Sequence, residues 1–460
     1  MDYWQMCLGM AIKQKSKIFS QYHEPVDFKR PWRIFKIMAE LVEGYDFISR
    51  LTRNVTVLGS ARTQPSQKYY KEAVKLGKLL AKGKFTTITG GGPGIMEAAN
   101  KGAFEAGGAS IGINIQLPFE QILNPYVKQS LGFKYFFTRK VMLLSPAQAF
   151  VFFPGGFGTL DEFFEVFDLM ENDQVAKAPM VLVGRDFWAP VLRFLQERSI
   201  RHGILDAEMM KSVSLVDTAE EAYKIIKVAP DQVNVCALSA DNFKCENEIN
   251  WRIFQVMAEL VEGFDLVTTY MDDVTVLGSK ALGEDTEYYH QAYLLGLALG
   301  KKKYTIITGG GPGITEAANK GAMHAGSTSV GLIMRKDHQD SGNKYLNAHA
   351  VFKFPYTRKL ILTAPSNAFV IFPGGLGTLH QAFELLTLMQ TGKTHRIPVL
   401  FYDSAYWEPL LTYIKAYLMK KYKTISVGDD KYYQAVDTIA EAVEIIEQVP
   451  RERDLLRKRQ

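Results

Sequence analysis

The chain repeats itself at a constant spacing of 219 residues, and this duplication constrains its fold more than any other feature. The segment MAELVEG occurs at 38–44 and again, unchanged, at 257–263. Sixteen of the eighteen positions at 86–103 are identical to their counterparts at 305–322. Composition bias cannot hold one offset without gaps over about 150 residues, so the sequence indicates a tandem domain duplication. At about 200 residues, each copy is long enough to bury its own core.

The repeat also sets the predicted domain boundaries. A chain of 460 residues is expected to hold two or three domains. We predict an N-terminal extension at 1–30, a first domain at 31–228, a junction at 229–250, a second domain at 251–448 and a basic tail at 449–460.

Each copy alternates apolar strands with amphipathic helices. In the first copy, VTVLGS (55–60), FTTITGGG (85–92) and AFVFFPGG (149–156) are apolar runs that end in glycine. Between them, the segment Tyr69–Lys82 carries apolar residues at helical spacing. Near-continuous apolar strands separated by helices are typical of a parallel sheet covered on both faces. The sequence therefore predicts a Rossmann-like, doubly wound α/β fold, present twice.

Composition excludes several classes of protein. The chain is 47% hydrophobic and 22% charged, which is ordinary for a globular protein. No apolar run approaches the 18 or so residues that a membrane span needs. The net charge of +5 is small for this length and does not favour a nucleic-acid partner. Three cysteines (Cys7, Cys236 and Cys245) cannot form a disulfide framework, which favours the cytoplasm. Taken together, these features predict a cytoplasmic protein without membrane or nucleic-acid partners.

Three glycine-marked turns follow predicted strands in the first copy. They are Gly59-Ser60, the run Gly90–Gly94, and Pro154–Thr159. In open α/β sheets, ligands bind outside the carboxyl ends of the strands, where such turns lead into helices. Glycine permits positive φ angles and a close approach to backbone amides, and helix N-termini attract phosphate. We therefore predict an anion site at this edge, lined by Ser60, Gly91 and Gly92.

Common nucleotide and catalytic motifs are absent. The segment Gly59-Ser-Ala-Arg62 lacks the further glycines of GxGxxG, and no GxxxxGK[ST] occurs, which excludes the usual dehydrogenase and P-loop patterns. Neither GxSxG nor HExxH is present. His23 and His202 are the only histidines before the junction, so we expect neither a metal site nor a cofactor.

The segment Thr159-Leu-Asp-Glu162 has two interpretations. It can be a capping box, with Thr159 as the N-cap residue and Glu162 closing a free backbone N–H. Alternatively, Glu162 is a catalytic carboxylate beside a phosphate-binding loop. The second copy has Thr378 and Gln381 at these positions, which preserves a capping box but removes the charge. A charge that is retained in only one copy favours a catalytic function for Glu162, although drift after duplication remains an alternative.

An Arg-Lys pair precedes an apolar, helix-like stretch in both copies. Arg139-Lys140 in the first copy corresponds to Arg358-Lys359 in the second. A lone pair of this kind usually marks a solvated face. Its retention in both copies, while much of the preceding segment changed, favours contact with a ligand.

Together these motifs resemble the LONELY GUY family, whose members have often been described as lysine decarboxylase-like. The resemblance covers about 200 residues in each copy. The segments that carry it are VTVLGSAR (55–62), TGGGPGIMEAANKGA (89–103), NIQLPFEQILNPYV (114–127), FFTRK (136–140) and PGGFGTLDE (154–162).

The resemblance implies hydrolysis of the N-glycosidic bond of nucleoside 5′-monophosphates, either cytokinin riboside monophosphates or AMP. It assigns the 5′-phosphate to a loop and catalysis to an Arg–Glu pair, with two further residues lining the site. The phosphate residues are Gly155, Gly156, Gly158 and Thr159, the catalytic pair is Glu162 with Arg139, and the lining residues are Lys140 and Glu97. A decarboxylase would need pyridoxal phosphate on a lysine, and no motif points to one.

The second copy departs from the family pattern in two places, so we expect it to be degenerate. Gln381 replaces the glutamate, and LIMRKDHQ (332–339) replaces the NIQLPFEQ segment. Because the family forms symmetric dimers, the resemblance also implies that the two copies pair within one chain as a pseudo-dimer, and it leaves further homo-oligomers open. Two other functions remain open: a non-catalytic nucleotide sensor, and a DNA-binding module, which the small net charge disfavours.

Overall fold

A computed structural model describes most of the chain. The described residues are 32–116, 123–172, 175, 177–230, 243–270, 272–335, 342–364 and 366–451. The predicted N-terminal extension lies outside them. So do most of the tail, the middle of the junction, and the central part of the segment after the third strand of each copy, which includes much of LIMRKDHQ.

Each copy contains seven strands. In the first copy they are β1 Asn54–Leu58, β2 Thr86–Thr89, β3 Ser110–Ile115, β4 Gln129–Phe133, β5 Ala147–Phe152, β6 Met180–Val183 and β7 Val213–Val216. In the second they are β8 Asp273–Leu277, β9 Thr305–Thr308, β10 Ser329–Met334, β11 Ala348–Phe352, β12 Ala368–Ile371, β13 Val399–Tyr402 and β14 Gln434–Val436.

Helices connect the strands in the same order in both copies. The first copy has α1 Trp32–Ser49, α2 Lys68–Lys82, α3 Ile95–Glu105, α4 Phe136–Leu144, α5 Phe157–Glu171, α6 Arg185–Phe194 and α7 Ala219–Lys227. The second has α8 Phe243–Thr269, α9 Glu287–Lys301, α10 Ile314–His324, α11 Pro355–Leu362, α12 Leu376–Gln390, α13 Ser404–Tyr413 and α14 Ile439–Glu447. Helix α8 begins at Phe243, inside the segment predicted as the junction.

The prediction of two doubly wound parallel sheets is confirmed. The strand order is β4-β3-β2-β1-β5-β6-β7 in the first sheet and β11-β10-β9-β8-β12-β13-β14 in the second, and every pairing is parallel. The chain winds outward from β1 in one direction and then returns to add β5 on its other side. All five residues of β1 are buried, which is why this strand reads as a continuous apolar run.

The two copies pack against each other through their equivalent helices α5 and α12, supported by contacts of α1 with α8 and of α6 with α13. One hydrophobic core lies between the sheets and contains residues of both copies, whereas a separate core covers the outer face of each sheet. Neither inner face is therefore covered by residues of its own copy alone.

Aromatic side chains form much of this shared core. The rings of Phe164 on α5 and Phe383 on α12 are stacked, with centroids 5.4 Å apart and planes inclined by 15°. Phe194 stacks on Trp407 at 6.0 Å, also across the two copies. Both members of the first pair are fully or almost fully buried. Such pairs contribute beyond the apolar area that they bury.

No helix in the described part of the chain combines the length and the apolar character needed to cross a bilayer.

Phe383→Ala should destabilise the whole chain. Removing a buried phenylalanine leaves a cavity and typically costs about 3–5 kcal/mol of unfolding free energy. The exposed Phe254 provides the matched control, and Phe254→Ala should cost less than about 0.5 kcal/mol. Urea unfolding followed by circular dichroism measures both. Equal effects of the two substitutions would contradict a core shared between the copies.

Candidate active site at the start of helix α5

Three glycine-marked turns meet at one edge of the first sheet, because β1 lies between β2 and β5. Backbone hydrogen bonds join them: the amide of Ser60 donates to the carbonyl of Pro154 (3.1 Å), and the amide of Ile95 donates to the carbonyl of Ser60 (3.0 Å). The Ser60 hydroxyl accepts from the amide of Arg62. The turn after β1 thus holds the other two turns in fixed positions around a common space.

The turn after β2 needs glycine at two positions. Gly91 has φ 72° and Gly94 has φ 70°, in the region that side-chain-bearing residues avoid. The side-chain amide of Asn124 donates to the carbonyls of both Gly91 and Gly92, at 3.0 Å each. It also donates to Asn100, which is buried under the turn. This network fixes the backbone of the turn.

The capping-box interpretation of Thr159 and Glu162 is wrong. Helix α5 begins at Phe157 with Gly156 as its N-cap, and no side chain caps it. Thr159 and Glu162 therefore lie inside the helix, one turn later than a capping box requires. The helix start keeps backbone N–H groups without a side-chain acceptor, which is the arrangement that binds phosphate.

In the turn after β5, Gly155 and Gly156 serve close packing and not positive φ. None of Gly155, Gly156 and Gly158 has a left-handed backbone, which corrects our expectation for this turn. A β-carbon at Gly155 would lie 2.1 Å from Thr159 Oγ1. A β-carbon at Gly156 would lie 2.9 Å from the carbonyl oxygen of Thr424, a residue of the second copy. The second copy therefore closes one side of this turn.

Arg139 reaches the site from helix α4. Its Nε donates to the carbonyl of Ile113 at 3.0 Å, and its guanidinium lies so close to Gly90 that a side chain there would collide with it. The start of α4 is held by Glu40, whose carboxylate accepts from the Thr138 hydroxyl at 2.6 Å and from the amide of Lys134 at 2.7 Å. Glu259 makes the equivalent contacts in the second copy, which gives a reason for the recurrence of this glutamate within MAELVEG.

Glu162 and Arg139 form a buried ion pair. Arg139 Nη1 lies 3.6 Å from Glu162 Oε1, and each residue is at most 9% exposed. Burial raises the pKa of Glu162 to about 7, although the guanidinium opposes the shift. A carboxyl that changes charge near neutral pH is suited to proton transfer and to stabilising positive charge.

Lys140 does not join this pair. Its ammonium points into the α5–α12 contact, 2.8 Å from Asp161 Oδ1, 3.3 Å from Glu165 Oε2 and 3.6 Å from Glu384 Oε1 of the second copy. Burial opposes the charged form of Lys140, but the three carboxylates outweigh it and raise its pKa. Its counterpart Lys359 crosses in the other direction and donates to Asp168 Oδ2 at 2.6 Å.

His380 completes this cluster and replaces Asp161 at the equivalent position of the second copy. Lys359 donates to His380 Nδ1 at 2.8 Å. An ammonium can only donate, so Nδ1 is the acceptor and the proton of the neutral ring is on Nε2, facing Asp161 Oδ1 at 3.3 Å. Burial and Lys359 lower the pKa of His380 well below its usual value, which keeps the ring neutral.

Asp161, Glu165 and His380 resemble a metal site by distance alone, since one ligand atom from each lies within 4.8 Å of the others. Lys140 argues against that use. Its Nζ lies 2.8 Å from Asp161 and 3.3 Å from Glu165, so the ammonium already provides the cation for the two carboxylates. The protonated Nε2 of His380 cannot ligate a metal ion either. The three side chains as arranged here therefore do not form a site for a divalent ion.

Glu97 lies on the first turn of α3 and accepts a hydrogen bond from the Tyr70 hydroxyl at 2.7 Å. Four residues that support the site were not predicted from the sequence: Glu40, Asn124, Thr424 and His380. A signal existed for two of them, because Glu40 and Asn124 recur at the same offset as Glu259 and Asn343. Thr424 and His380 act across the copies and left no such signal.

Comparison with known proteins agrees with the duplication. The family described as "Possible lysine decarboxylase" matches two segments, residues 96–226 and 315–446, one in each copy. A cytokinin riboside 5′-monophosphate phosphoribohydrolase of Rhodococcoides fascians is 30% identical over 145 residues, which cover 31% of this chain and 73% of that protein. The enzyme of the same name from Oryza sativa is 29% identical over 177 residues, covering 38% and 72%.

Among solved structures, the molybdenum cofactor carrier protein of Chlamydomonas reinhardtii is 25% identical, covers 38% of this chain and 96% of its own, and has a TM-score of 0.30. The family matches, one in each copy, together span more than half of the chain. The chain therefore belongs to the LONELY GUY, lysine decarboxylase-like family, with one copy of the family domain in each half.

Proposed function

We propose that the first copy hydrolyses the N-glycosidic bond of a nucleoside 5′-monophosphate, releasing free base and ribose 5-phosphate. The observation that carries this proposal is the buried Glu162–Arg139 pair beside an uncapped helix start. The phosphoribohydrolases among the relatives support the reaction class. We propose AMP or a cytokinin riboside monophosphate as the substrate, and the cytoplasm as the location.

The phosphate would bind at the start of α5. The backbone around Gly155, Gly156, Gly158 and Thr159 offers N–H groups there, and the helix dipole favours a dianion. A phosphate held at this point would fix the ribose over the first turns of the helix, where Glu162 lies. Holding C1′ against a catalytic group in this way can provide much of a rate enhancement.

Glu162 would act on the sugar and on water. Cleavage of the C1′–N bond leaves its electron pair on the base and develops positive charge on the ribose, which a carboxylate stabilises. The same carboxylate would orient a water molecule and accept its proton as the oxygen bonds to C1′. That proton would then pass to the nitrogen of the departing base, which leaves neutral and returns Glu162 to its charged form. Arg139 would stabilise the phosphate or the departing base, since its guanidinium stays charged.

The remaining predicted residues would line the site or position its catalytic groups. Ser60, Gly91, Gly92 and Glu97 would line the space that receives the nucleoside. We assign Lys140 a positioning function, because its ammonium binds Asp161 and Glu165 on either side of Glu162 in sequence. The second copy has Gln381 in place of the carboxylate, so we propose that it hydrolyses nothing.

Hydrolysis should require the 5′-phosphate. With AMP as substrate we expect adenine release, and with adenosine we expect kcat/KM to fall by at least about 10³-fold, because the remote binding energy is lost. Chromatographic assay of free adenine measures both reactions. If the two substrates were cleaved at similar rates, the phosphate would not be the anchor.

Glu162→Gln should abolish most turnover while the fold is kept. The amide is nearly isosteric but cannot carry the charge, so we expect kcat to fall by about 10²–10⁴-fold. Glu220→Gln removes the same charge from an exposed position and should leave activity unchanged. A Glu162→Gln protein that binds AMP normally and still turns over at the wild-type rate would instead favour another catalytic group. A wild-type chain that binds AMP and releases no base would favour the sensor function.

The rate should rise with pH through about 7. Burial raises the pKa of Glu162 to about 7, so the active carboxylate is lost as the pH falls below that value. The profile of kcat/KM reports the ionisation of the free protein, and its acidic limb should fall about tenfold per pH unit. A flat profile between about pH 5 and pH 8 would contradict a charged Glu162 in the rate-limiting step.

A further inference from the structure

The second copy lacks the catalytic carboxylate but keeps the backbone of the first copy's site. Helix α12 begins at Leu376 with Gly375 as N-cap at φ −89° and ψ −156°, against −96° and −155° for Gly156 in the first copy. No side chain caps α12 either. The same N–H groups are therefore presented at the same edge of the second sheet.

The supporting turn after β9 is also preserved. Gly310 and Gly313 have φ 67° and 70°, like their counterparts in the first copy. The side-chain amide of Asn343 donates to the carbonyl of Gly311 at 3.1 Å and to Asn319 at 3.0 Å. The amide of Ser279 donates to the carbonyl of Pro373, which ties the turns together as in the first copy. Drift after duplication does not explain why this backbone is preserved in a copy that has lost the catalytic carboxylate.

Two buried polar side chains at the start of α12 have no hydrogen-bond partner within the described part of the chain. They are Thr378 and Gln381, each 7% exposed. Their polar atoms are not among the fully buried ones that lack a partner, so both side chains can reach a ligand at the helix start. Gln381 occupies the position of Glu162, on the second turn of the helix, and Thr378 lies at the phosphate turn itself.

Arg358 adds a positive charge at this site, and the carboxylate that acts on it electrostatically is Asp168 of the first copy, which is ion-paired with Lys359. Its Nε donates to the carbonyl of Leu332 and its Nη2 to the carbonyl of Gly309, which places the guanidinium as Arg139 is placed. Arg139 has Glu162 as its counter-ion, whereas no carboxylate of the described residues lies within ion-pair distance of Arg358. The guanidinium of Arg358 therefore stays outside a direct ion pair among the described residues, where it can bind an anion.

We infer that the second copy is a separate binding site for a ribose 5-phosphate group, which it holds without hydrolysis. The phosphate would bind at the start of α12 with Arg358 as its counter-ion, and Thr378 and Gln381 would bond to the phosphate and sugar. Two sources share this chemistry: the nucleoside 5′-monophosphate itself, and the ribose 5-phosphate that the first copy is proposed to release. The inference requires binding only and does not need the first copy to be active.

Binding stoichiometry tests the inference on the full chain. In a Glu162→Gln background, which prevents consumption of the ligand, isothermal titration with AMP should find two equivalents per chain. Arg358→Met should weaken one of them by at least about tenfold, and the matched Arg139→Met should weaken the other. One equivalent per chain that Arg358→Met leaves unchanged would overturn the inference.

Separate titrations with ribose 5-phosphate and with inorganic phosphate identify the source. Loss of ribose 5-phosphate binding in Arg358→Met assigns the product to the second copy, and loss of AMP binding alone assigns the nucleotide. If inorganic phosphate bound there as tightly as either sugar phosphate, the assignment to a ribose 5-phosphate group would be wrong. Adenine release by the wild-type chain is scored independently, so failure of the proposed hydrolysis and failure of this inference give different results.

A second variant avoids dependence on the buried arginine. A side chain at Gly311 would meet only Thr315 Oγ1, at 3.8 Å, so Gly311→Asp should fold while placing a negative charge on the turn. It should weaken the second equivalent as Arg358→Met does. Gly92→Asp, the counterpart in the first copy, should leave that equivalent intact. Thermal unfolding of each variant checks that the fold is kept, and unchanged AMP binding by a folded Gly311→Asp protein would count against the inference.

Discussion

The contact between α5 and α12 is the constraint on which the rest of the structure depends. It buries two lysines, one from each copy, and each lysine bonds to carboxylates of the other copy: Lys140 lies 3.6 Å from Glu384, and Lys359 lies 2.6 Å from Asp168. Buried charges are tolerated only when they are paired. Lys140 has Asp161 and Glu165 in its own copy, whereas Lys359 forms its ion pair with Asp168 of the other copy, so the second copy depends on the first for this pairing. The aromatic core on the same helices adds the apolar area that holds the two sheets together.

The same contact gives a physical reason for the asymmetry between the copies. The first copy places four buried acidic residues on α5, namely Asp161, Glu162, Glu165 and Asp168, whereas α12 keeps only Glu384 at the equivalent positions. Five carboxyl groups then face the four cations Arg139, Lys140, Arg358 and Lys359. A fully symmetric pair would bury eight carboxyl groups against the same cations. Burial already raises the pKa of Asp161 and Glu384, so further acids would be protonated or destabilising.

One chain can therefore contain a site suited to catalysis in the first copy and a site suited only to binding in the second. The carboxylate on α5 remains next to an arginine and beside a helix start that can bind phosphate, whereas the helix start on α12 keeps its arginine without the carboxylate. Each phosphate turn is also closed by the opposite copy: Thr424 lies against Gly156, and Ile204 lies against Gly375. The duplication thus joins the two sites physically, although their chemistry has diverged.

The sequence by itself determined the duplication, the parallel sheets and the edge at which the three glycine turns meet, because these depend on periodicity and on a constant offset. It also brought Arg139 and Glu162 together as candidates. Only the tertiary structure decided the rest. It moved the start of α5 to Phe157, which removed the capping box, and it turned Lys140 toward the second copy. These outcomes depend on packing between residues that are far apart in the chain, such as Gly156 and Thr424, and no local pattern records that contact.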